Sequence, residues 1–559
     1  MSSRSSSPSA PPFQAVLLAA LAFFGCGRED VELAPPPTAT EVPDDCSAKL
    51  PEGLVGARPP MGWNGYNAFE CSPELDETKL RENVDALVAS GMQSAGYHYV
   101  NLDACWQVAR NAEGQRVFDP VRFPGGIDAF SSDVHALGLS LGVFATAEDC
   151  RGEPGGEGYE TIDAESYVAW GVDYVKYATC EASGISEGAA RALAEALAET
   201  ERPMVLSLAA PPFREWMPDT VHLWRTSENA EPTWSSMVNA IDTAVPLAAY
   251  ARPGGFNDPD MLEIGNGALT PSEMRVQFST WSILSAPLLA GNDLSTMTEE
   301  TRAVLTNDRL IAVNQDPLAL QAALVHRDGD IDVLAKPLAG CGARAAVLWN
   351  RGETSAEVSL TWNELWLEPG EVTVRDLWSD TPLESGSDGV TLTVASHDAV
   401  ALSVTGVEPP SPRARVYLSD LHFTYATNGF GPVELDRTNG EDAALDGNPI
   451  RLRGAAYDKG LGVHGPSLLR YRLGQRCSRF AADVGVDDDQ AGMGSVQFEV
   501  WADGERLFQS GVLTGTSPTR GLSIDVRGRR ELRLFVGTGG DTDAHDHAVW
   551  AGARLECDP

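Results

Sequence analysis

The chain is poor in basic side chains. Of its 559 residues, 41 are Lys or Arg and 80 are Asp or Glu, which leaves a formal net charge of −39. Nucleic acids and anionic membrane surfaces are bound by clustered Lys and Arg, whereas here the acidic side chains are spread along the whole chain. The composition therefore argues against nucleic acid or anionic lipid as a partner, and an acidic, well-hydrated surface explains the charge.

Long hydrophobic runs are also lacking. The apolar stretch 15–24 follows Arg4 and holds about ten residues, too few to span a membrane but suited to the core of a signal peptide over 1–25. Gly25-Cys26 resembles the end of a bacterial lipobox, in which Cys26 is lipidated, although Phe23 replaces the usual leucine. An acidic, Pro-rich tether follows over 26–55. We expect export, with lipid anchoring at the cell surface or in the periplasm, or otherwise secretion.

A Gly-rich phosphate loop, which an open doubly wound sheet would carry after its first strand, is absent. Instead, short apolar runs alternate with helical patterns, one of which begins at an Asp76 cap and stops at Ser90-Gly91. The predicted strands are 60–63, 97–103, 139–145, 172–177, 204–208, 221–225, 255–258 and 287–290. Eight such units over 56–325 predict a (β/α)₈ TIM barrel, whose usual length is about 250 residues.

The rest of the chain has the strand period of two. Alternation at 332–335, 345–349, 356–360, 372–375, 390–394 and 399–404 predicts a small antiparallel β domain over 326–408. A Pro-rich linker begins at Pro409, and alternation resumes at 496–501 and 531–536, which suits a C-terminal β-sandwich over 409–559. We therefore predict a multidomain protein, α/β followed by two all-β parts.

Polar side chains follow the predicted barrel strands, at the face where such barrels perform chemistry. They are Asn64, Tyr66, Asp103, Thr146, Lys176, Arg225, Asp258, Asp260, Asn292 and Asp293. Carboxylates with a Lys, an Arg and an aromatic side chain suit a ligand rich in hydroxyls. For Asn292 and Asp293 we favour a structural role, and for the others together a sugar site.

Over residues 61–317 the sequence resembles the α-galactosidases of the melibiase type. The matching motifs, in the family's order, are Met61-Gly-Trp-Asn64, Asn101-Leu-Asp-Ala-Cys-Trp106, Gly171-Val-Asp-Tyr-Val-Lys-Tyr-Ala-Thr-Cys180, Trp224-Arg225, Gly254-Gly-Phe-Asn-Asp-Pro-Asp-Met261, Ser285-Ala-Pro-Leu288 and Asn314-Gln-Asp-Pro317. The resemblance implies a (β/α)₈ barrel followed by a β domain, and a retaining hydrolase that uses two carboxyls about 5 Å apart. We expect no cofactor and no metal ion.

The resemblance places both catalytic carboxyls at positions where this chain has none. The nucleophile belongs two residues after the lysine, at Ala178, and the acid/base four residues after the arginine, at Asn229. Alanine has no nucleophile, and an amide does not exchange a proton near neutral pH. We therefore expect no intact catalytic pair.

The other sugar-contact positions are partly kept. The resemblance implies substrate binding by Tyr66, Asp103, Lys176, Arg225 and Asp260. It also places Ala104, Phe144 and Ala209 where the family has an aspartate, an aromatic hydroxyl and a glutamate. Glu228 and Glu231 flank Asn229, but a shift along a turn or helix points a side chain in a different direction, so neither is expected to replace the missing acid. Glu148 and Asp149, just past the third strand, are candidates to substitute for the missing pair.

Export permits disulfides, and eight cysteines remain if Cys26 is lipidated. The resemblance implies the pairs Cys71–Cys105 and Cys150–Cys180, and Cys477 with Cys557 is a natural pair within the C-terminal part. The partners of Cys46 and Cys341 stay open.

The C-terminal part resembles a carbohydrate-binding module found beside such barrels. The matching residues are Tyr417-Leu-Ser-Asp-Leu421, Gly431-Pro-Val-Glu434, Lys459-Gly-Leu-Gly-Val-His464, Asp483-Val-Gly-Val-Asp-Asp488 and His547-Ala-Val-Trp550. The segment 541–547 holds possible metal ligands, but it lacks a fixed ligand spacing and is interpreted as a hydrated acidic loop.

Three hypotheses result. The first is an exported protein that binds terminal α-galactosyl glycans without conventional retaining hydrolysis. The second is an active hydrolase of terminal α-galactosyl or α-N-acetylgalactosaminyl residues that uses relocated carboxylates. The third is an architectural surface adhesion protein whose barrel is only a scaffold.

Overall fold

The computed structural model describes residues 50–150, 152–180, 184–441 and 443–559. The predicted signal peptide, most of the tether, Cys26 and Cys46 lie outside the described residues. Within the described part of the chain, no helix is both long and apolar enough to cross a membrane. These residues belong to one compact unit, Asp45–Pro559.

Eight parallel strands form the first layer. They are β1 Met61–Asn64, β2 Tyr99–Leu102, β3 Ser140–Thr146, β4 Val172–Ala178, β5 Val205–Ala209, β6 Leu223–Arg225, β7 Phe256–Asp258 and β8 Leu288–Ala290. The order in the sheet is β8-β1-β2-β3-β4-β5-β6-β7, and a parallel bridge between Leu262 and Ala290 brings its two ends together. The (β/α)₈ prediction is confirmed, and each strand lies within two residues of its predicted position.

Helices follow these strands and cover the sheet. They are Tyr66–Phe69, Glu77–Ala89, Met92–Ala95, Ile127–Ala136, Glu160–Ala169, Glu187–Glu199, Trp234–Ala244, Pro271–Ile283, Glu299–Leu305 and Asp308–Asn314, with 3₁₀ turns Met217–Asp219, Val245–Tyr250 and Leu294–Thr296. Helix Glu77–Ala89 begins as predicted, because Asp76 accepts a hydrogen bond from the backbone N–H of Lys79 at 2.9 Å. Between β5 and β6 the described chain has only the 3₁₀ turn, which the sequence pattern did not predict.

The antiparallel β domain follows the barrel. Its strands are Ala323–Asp328, Ile331–Pro337, Ala343–Asn350, Ala356–Thr361, Glu368–Asp376, Pro382–Leu383, Gly389–Val394 and Ala399–Val407, with the 3₁₀ turn Asn363–Leu365. It packs on helix Pro271–Ile283, where His397 Nδ1 lies 3.0 Å from Glu273 Oε1 and Arg275 pairs with Asp398 at 2.6 Å.

The C-terminal part is a β-sandwich of two antiparallel sheets, as predicted. Its strands are Arg415–Tyr417, Tyr425–Thr427, Glu434–Leu435, Arg451–Leu452, Ala455–Ala456, Gly460–His464, Ser467–Arg472, Cys477–Val486, Ser495–Ala502, Glu505–Thr514, Arg520–Asp525, Glu531–Gly537 and His547–Cys557, with 3₁₀ turns Leu418–Asp420 and Asp488–Gln490. A small hairpin, Gln107–Arg110 with Arg116–Phe118, decorates the barrel.

The sandwich packs on the barrel beside the short β5–β6 connection. Glu215 of that connection accepts a hydrogen bond from the backbone N–H of Thr538 at 2.6 Å, and the Tyr250 and Phe535 rings lie 5.5 Å apart. The interpretation of 541–547 as a hydrated loop is wrong for Asp546, which is fully buried, and burial with nearby acidic charge raises its pKa to about 7. Among the described residues, no cluster of His, Cys, Asp or Glu is suited to hold a metal ion.

Candidate active site

An ion pair joins the exits of β2 and β4. Asp103 follows the end of β2, Lys176 lies in β4, and their Oδ2 and Nζ atoms are 2.8 Å apart. Burial acts to raise the pKa of Asp103, but the charge of Lys176 and hydrogen bonds from Lys176 and Asn64 outweigh it and leave this pKa below its ordinary value. The Asp103 carboxylate is therefore held ionised beside a protonated lysine.

A second ion pair joins the exits of β6 and β7. Arg225 ends β6, Asp260 lies two residues past β7, and their Nη2 and Oδ2 atoms are 2.9 Å apart with side-chain exposures of 2% and 5%. Asp260 has a positive φ of 78°, and its backbone N–H donates to Asp258 Oδ1 at 2.9 Å. Burial raises the pKa of Asp258, partly offset by Arg225.

The two pairs belong to one electrostatic cluster. Burial acts to lower the pKa of Lys176, but the charges of Asp103 and then Asp260 more than compensate, and the Lys176 pKa lies above its ordinary value. Lys176 Nζ also lies 5.9 Å from the ring centroid of Phe144. Tyr66 begins the short helix after β1, half-buried, with its N–H bonded to Asn64 Oδ1 at 3.0 Å. The structure thus places the five predicted contact residues at strand exits of one face.

The two expected catalytic positions lie at the same face. Ala178 is the last residue of β4 and is 7% exposed. Asn229 is exposed on the loop after β6, and its Oδ1 lies 3.3 Å from Arg225 Nη2. Of the other positions expected to differ from the family, Ala209 ends β5, and the N–H of Ala104 donates to Asp103 Oδ1 at 2.8 Å.

Of the two exit residues with an expected structural role, Asp293 bonds to the protein through its side chain, whereas Asn292 does so through its backbone and its buried Oδ1 has no hydrogen-bond partner within the described residues. Asp293 caps the turn Leu294–Thr296 through the Ser295 N–H at 3.0 Å. Asn292 is buried, and its backbone carbonyl accepts a hydrogen bond from Trp63 Nε1 at 2.8 Å.

One neighbouring carboxylate reaches the exit of β4. Glu148 Oε1 accepts hydrogen bonds from Thr179 Oγ1 at 2.8 Å and from the Cys180 N–H. Asp149 is exposed and instead accepts from the Gly155 N–H at 2.8 Å. Glu228 and Glu231 are exposed as well.

Disulfides tie the loops around these exits. They join Cys71 to Cys105 and Cys150 to Cys180, and a third joins Cys477 to Cys557 in the sandwich, the same pairs that were expected from the sequence. Cys341 is also disulfide-bonded.

Comparisons with known proteins agree with this architecture. Residues 58–316 match the family model described as alpha galactosidase A, residues 328–404 the alpha galactosidase C-terminal beta sandwich domain, and residues 414–556 the NPCBM/NEW2 domain. An α-galactosidase of Cyamopsis tetragonoloba is 39% identical over 62% of this chain and 86% of its own length, and one of Coffea arabica is 40% identical over 63% and 94%. The chain belongs to the α-galactosidase family of glycoside hydrolases.

A solved structure shows the same relationship in three dimensions. The crystal structure of α-galactosidase I from Mortierella vinacea has 31% identity and a TM-score of 0.61, with 64% of this chain and 99% of that chain covered. The solved chain corresponds in extent to the barrel and β domain. This α-galactosidase family member adds a carbohydrate-binding module beyond them.

Two buried carboxyls near the family site were missed by sequence reasoning. Glu263 is 1% exposed, accepts hydrogen bonds from Asn67 and from Asn266 at 2.8 Å, and burial raises its pKa to about 7. Glu153 is buried, accepts from the Cys105 N–H, and burial raises its pKa. The sequence could have indicated Glu263, because it is a charged residue inside the apolar run 261–264. It gave no such indication for Glu153, which lies in a loop without hydrophobic periodicity.

Proposed function

We propose that this α-galactosidase family member is exported and binds terminal α-galactosyl glycans without conventional retaining hydrolysis. The observation that carries the proposal is the pair Ala178 and Asn229 at the two positions where the family's motif has its carboxyls. A retaining mechanism needs an ionised nucleophile and a proton donor about 5 Å apart, and neither side chain supplies one.

The remaining side chains support binding. Lys176 and Arg225 donate hydrogen bonds, the carboxylates of Asp103 and Asp260 accept them, and Tyr66 offers an aromatic face. A hexose presents hydroxyls that donate and accept at once, so fixed ion pairs supply both kinds of partner. The carbohydrate-binding module adds a second means of holding a glycan, and multivalent attachment strengthens retention without new chemistry.

Export is supported by the disulfides, which persist in oxidising compartments. Lipidation at Cys26 remains part of the proposal, with the glycan held at the cell surface or in the periplasm. Secretion without a lipid is its alternative, and metabolic labelling with a fatty acid on wild type and Cys26→Ser separates the two.

The decisive experiment compares turnover of an aryl α-galactoside with galactose binding, for wild type and for Ala178→Asp/Asn229→Asp. We expect galactose binding by both proteins and turnover only by the double variant. Ala178→Asn/Asn229→Asp is the matched control, because its amide has the shape of the nucleophile but not its charge. Wild-type turnover close to that of the double variant contradicts the proposal, and absence of galactose binding by both proteins favours an architectural role.

One observation favours hydrolysis by relocated carboxylates as the second candidate. Glu148 reaches the exit of β4 beside Ala178. A water in place of the missing nucleophile would suit an inverting reaction, in which the two carboxyls stand about 6.5–9.5 Å apart. Under the first proposal, wild type and Glu148→Gln both lack turnover and bind galactose equally. A loss of about 10²–10⁴-fold from measurable wild-type turnover, with inversion at the anomeric carbon seen by NMR, supports the second candidate instead.

A further inference from the structure

A cleft of about 640 Å³ lies between the helical layer of the barrel and the β domain. Its lining includes the first turns of helix Pro271–Ile283, helix Glu299–Leu305 and Trp378 of the β domain. This volume is within the range of about 300–1,000 Å³ that is usual for small-molecule sites. The lining contains none of the strand-exit side chains described above, so the cleft is separate from the family site.

Three arginines line this cleft in a protein that is strongly acidic. Arg275 pairs with Asp398 at 2.6 Å, Arg302 donates from Nε to Glu299 at 2.8 Å, and Arg309 donates to the carbonyl oxygens of Leu377 and Trp378 at 2.9 and 3.2 Å. Arg309 Nη1 also lies 3.5 Å from Asp308 Oδ1, so each arginine is offset by a carboxylate and the three pairs present donors and acceptors together.

The cleft also contains an aromatic face that is held in place. Trp378 is half-buried, its Nε1 donates to Ser279 Oγ at 3.0 Å, and its ring packs 6.4 Å from that of Phe278. A fixed indole beside arginine–carboxylate pairs is suited to a sugar ring, which stacks its apolar face and bonds through its hydroxyls. Glu300 lines the cleft in addition to these pairs, so an acidic saccharide would meet repulsion.

We propose that this cleft is a second saccharide-binding site, selective for neutral oligosaccharides and independent of the barrel exits. It lies where the barrel and the β domain meet, so an oligosaccharide bound there contacts both. The site extends the proposed function and does not depend on it, since no residue is shared.

Hydrogen–deuterium exchange of the full chain with stachyose, a neutral galactose-containing tetrasaccharide, tests the site. We expect protection of peptides covering 271–275, 300–309 and 376–380. Ala303→Tyr adds bulk at an exposed lining position, and Arg302→Ser removes one ion pair. Each is expected to raise the stachyose concentration needed for half-maximal protection about tenfold or more. Arg191→Ser, which removes the exposed Arg191–Glu187 pair on another helix, is the matched control and is expected to change nothing.

Two results would overturn the site. One is the absence of protection in the cleft at saturating stachyose, and the other is protection that survives both cleft variants. Peptides covering 225–230 report the barrel exits in the same samples. Protection there without protection in the cleft contradicts only the second site, and the reverse contradicts only galactoside binding at the exits.

Discussion

The ion pairs Lys176–Asp103 and Arg225–Asp260 at the strand exits both join a cation to an aspartate, but they differ in their surroundings. Asp103 keeps hydrogen bonds from Asn64 and the Ala104 N–H besides that from Lys176. Arg225 is more deeply buried than Lys176, with side-chain exposures of 2% and 16%, and Asp260 accepts one further hydrogen bond, from the Ala230 N–H at 2.8 Å, next to Asn229. The Asp103 carboxylate therefore keeps other donors if Lys176 is removed, whereas the Arg225 pair organises the loop that carries Asn229.

Removal of Arg225 is expected to have the largest effect. Arg225→Met leaves the Asp260 carboxylate buried without its cation, and this costs about 3–5 kcal/mol in the free energy of unfolding. Urea denaturation measures the loss. Arg191→Met, at an exposed pair, is the control and should cost about 0.5 kcal/mol or less. A loss of stability for Arg225→Met as small as that of the control would contradict the dependence of the buried Asp260 carboxylate on Arg225.

A buried cation that lacks such a carboxylate contact should behave in the opposite way. Lys336 is 1% exposed, donates to Ser285 Oγ at 2.6 Å and to the Ser282 carbonyl, and burial lowers its pKa to about 7. We expect Lys336→Met to stabilise the fold at neutral pH by about 1–4 kcal/mol.

The pH dependence gives the sign of this effect. Between pH about 7 and 10.5 the unfolded chain binds the Lys336 proton and the folded chain does not, so stability rises with pH in this window. Lys336→Met should remove that rise in denaturation curves measured across the window. If wild type and Lys336→Met show the same dependence of the free energy of unfolding on pH, Lys336 is charged in the folded protein across this window.

The Lys176 pair should be the more tolerant of the two. Lys176→Met leaves Asp103 with two other donors, so we expect a loss of about 1–3 kcal/mol, below that of Arg225→Met. Denaturation of both variants in one buffer ranks them. Equal losses would mean that burial, rather than the number of alternative donors, determines the cost.

The smallest effect is expected at Asn229. It is exposed and its contact with Arg225 is 3.3 Å long, so Asn229→Ala should change stability by about 0.5 kcal/mol or less. Thermal denaturation checks this, with Asn64→Ala as the contrasting buried amide. A loss above that of Asn64→Ala would assign Asn229 a structural role in the loop.

Much of the fold follows from local pattern. Eight short apolar runs predicted eight barrel strands because parallel strands are buried on both faces, and their exits gather at one face in any closed barrel. For the same reason Asp103, Lys176, Arg225 and Asp260 were expected near one another. The sequence did not predict that a 3₁₀ turn replaces the helix between β5 and β6. Residues that pack there, Phe535 and Thr538, belong to the C-terminal sandwich, more than 300 residues from Glu215 in the case of Thr538.

The sequence by itself determined the order of strands, the strand-exit residues and the absence of carboxyls at Ala178 and Asn229, because these are properties of local composition and position. Only the tertiary structure decided which charges are paired, that Glu148 reaches the exit of β4, and that Glu263 is buried with a pKa of about 7. Those features depend on desolvation and on partners distant along the chain, such as Asn67 for Glu263, and neither is encoded in any single stretch.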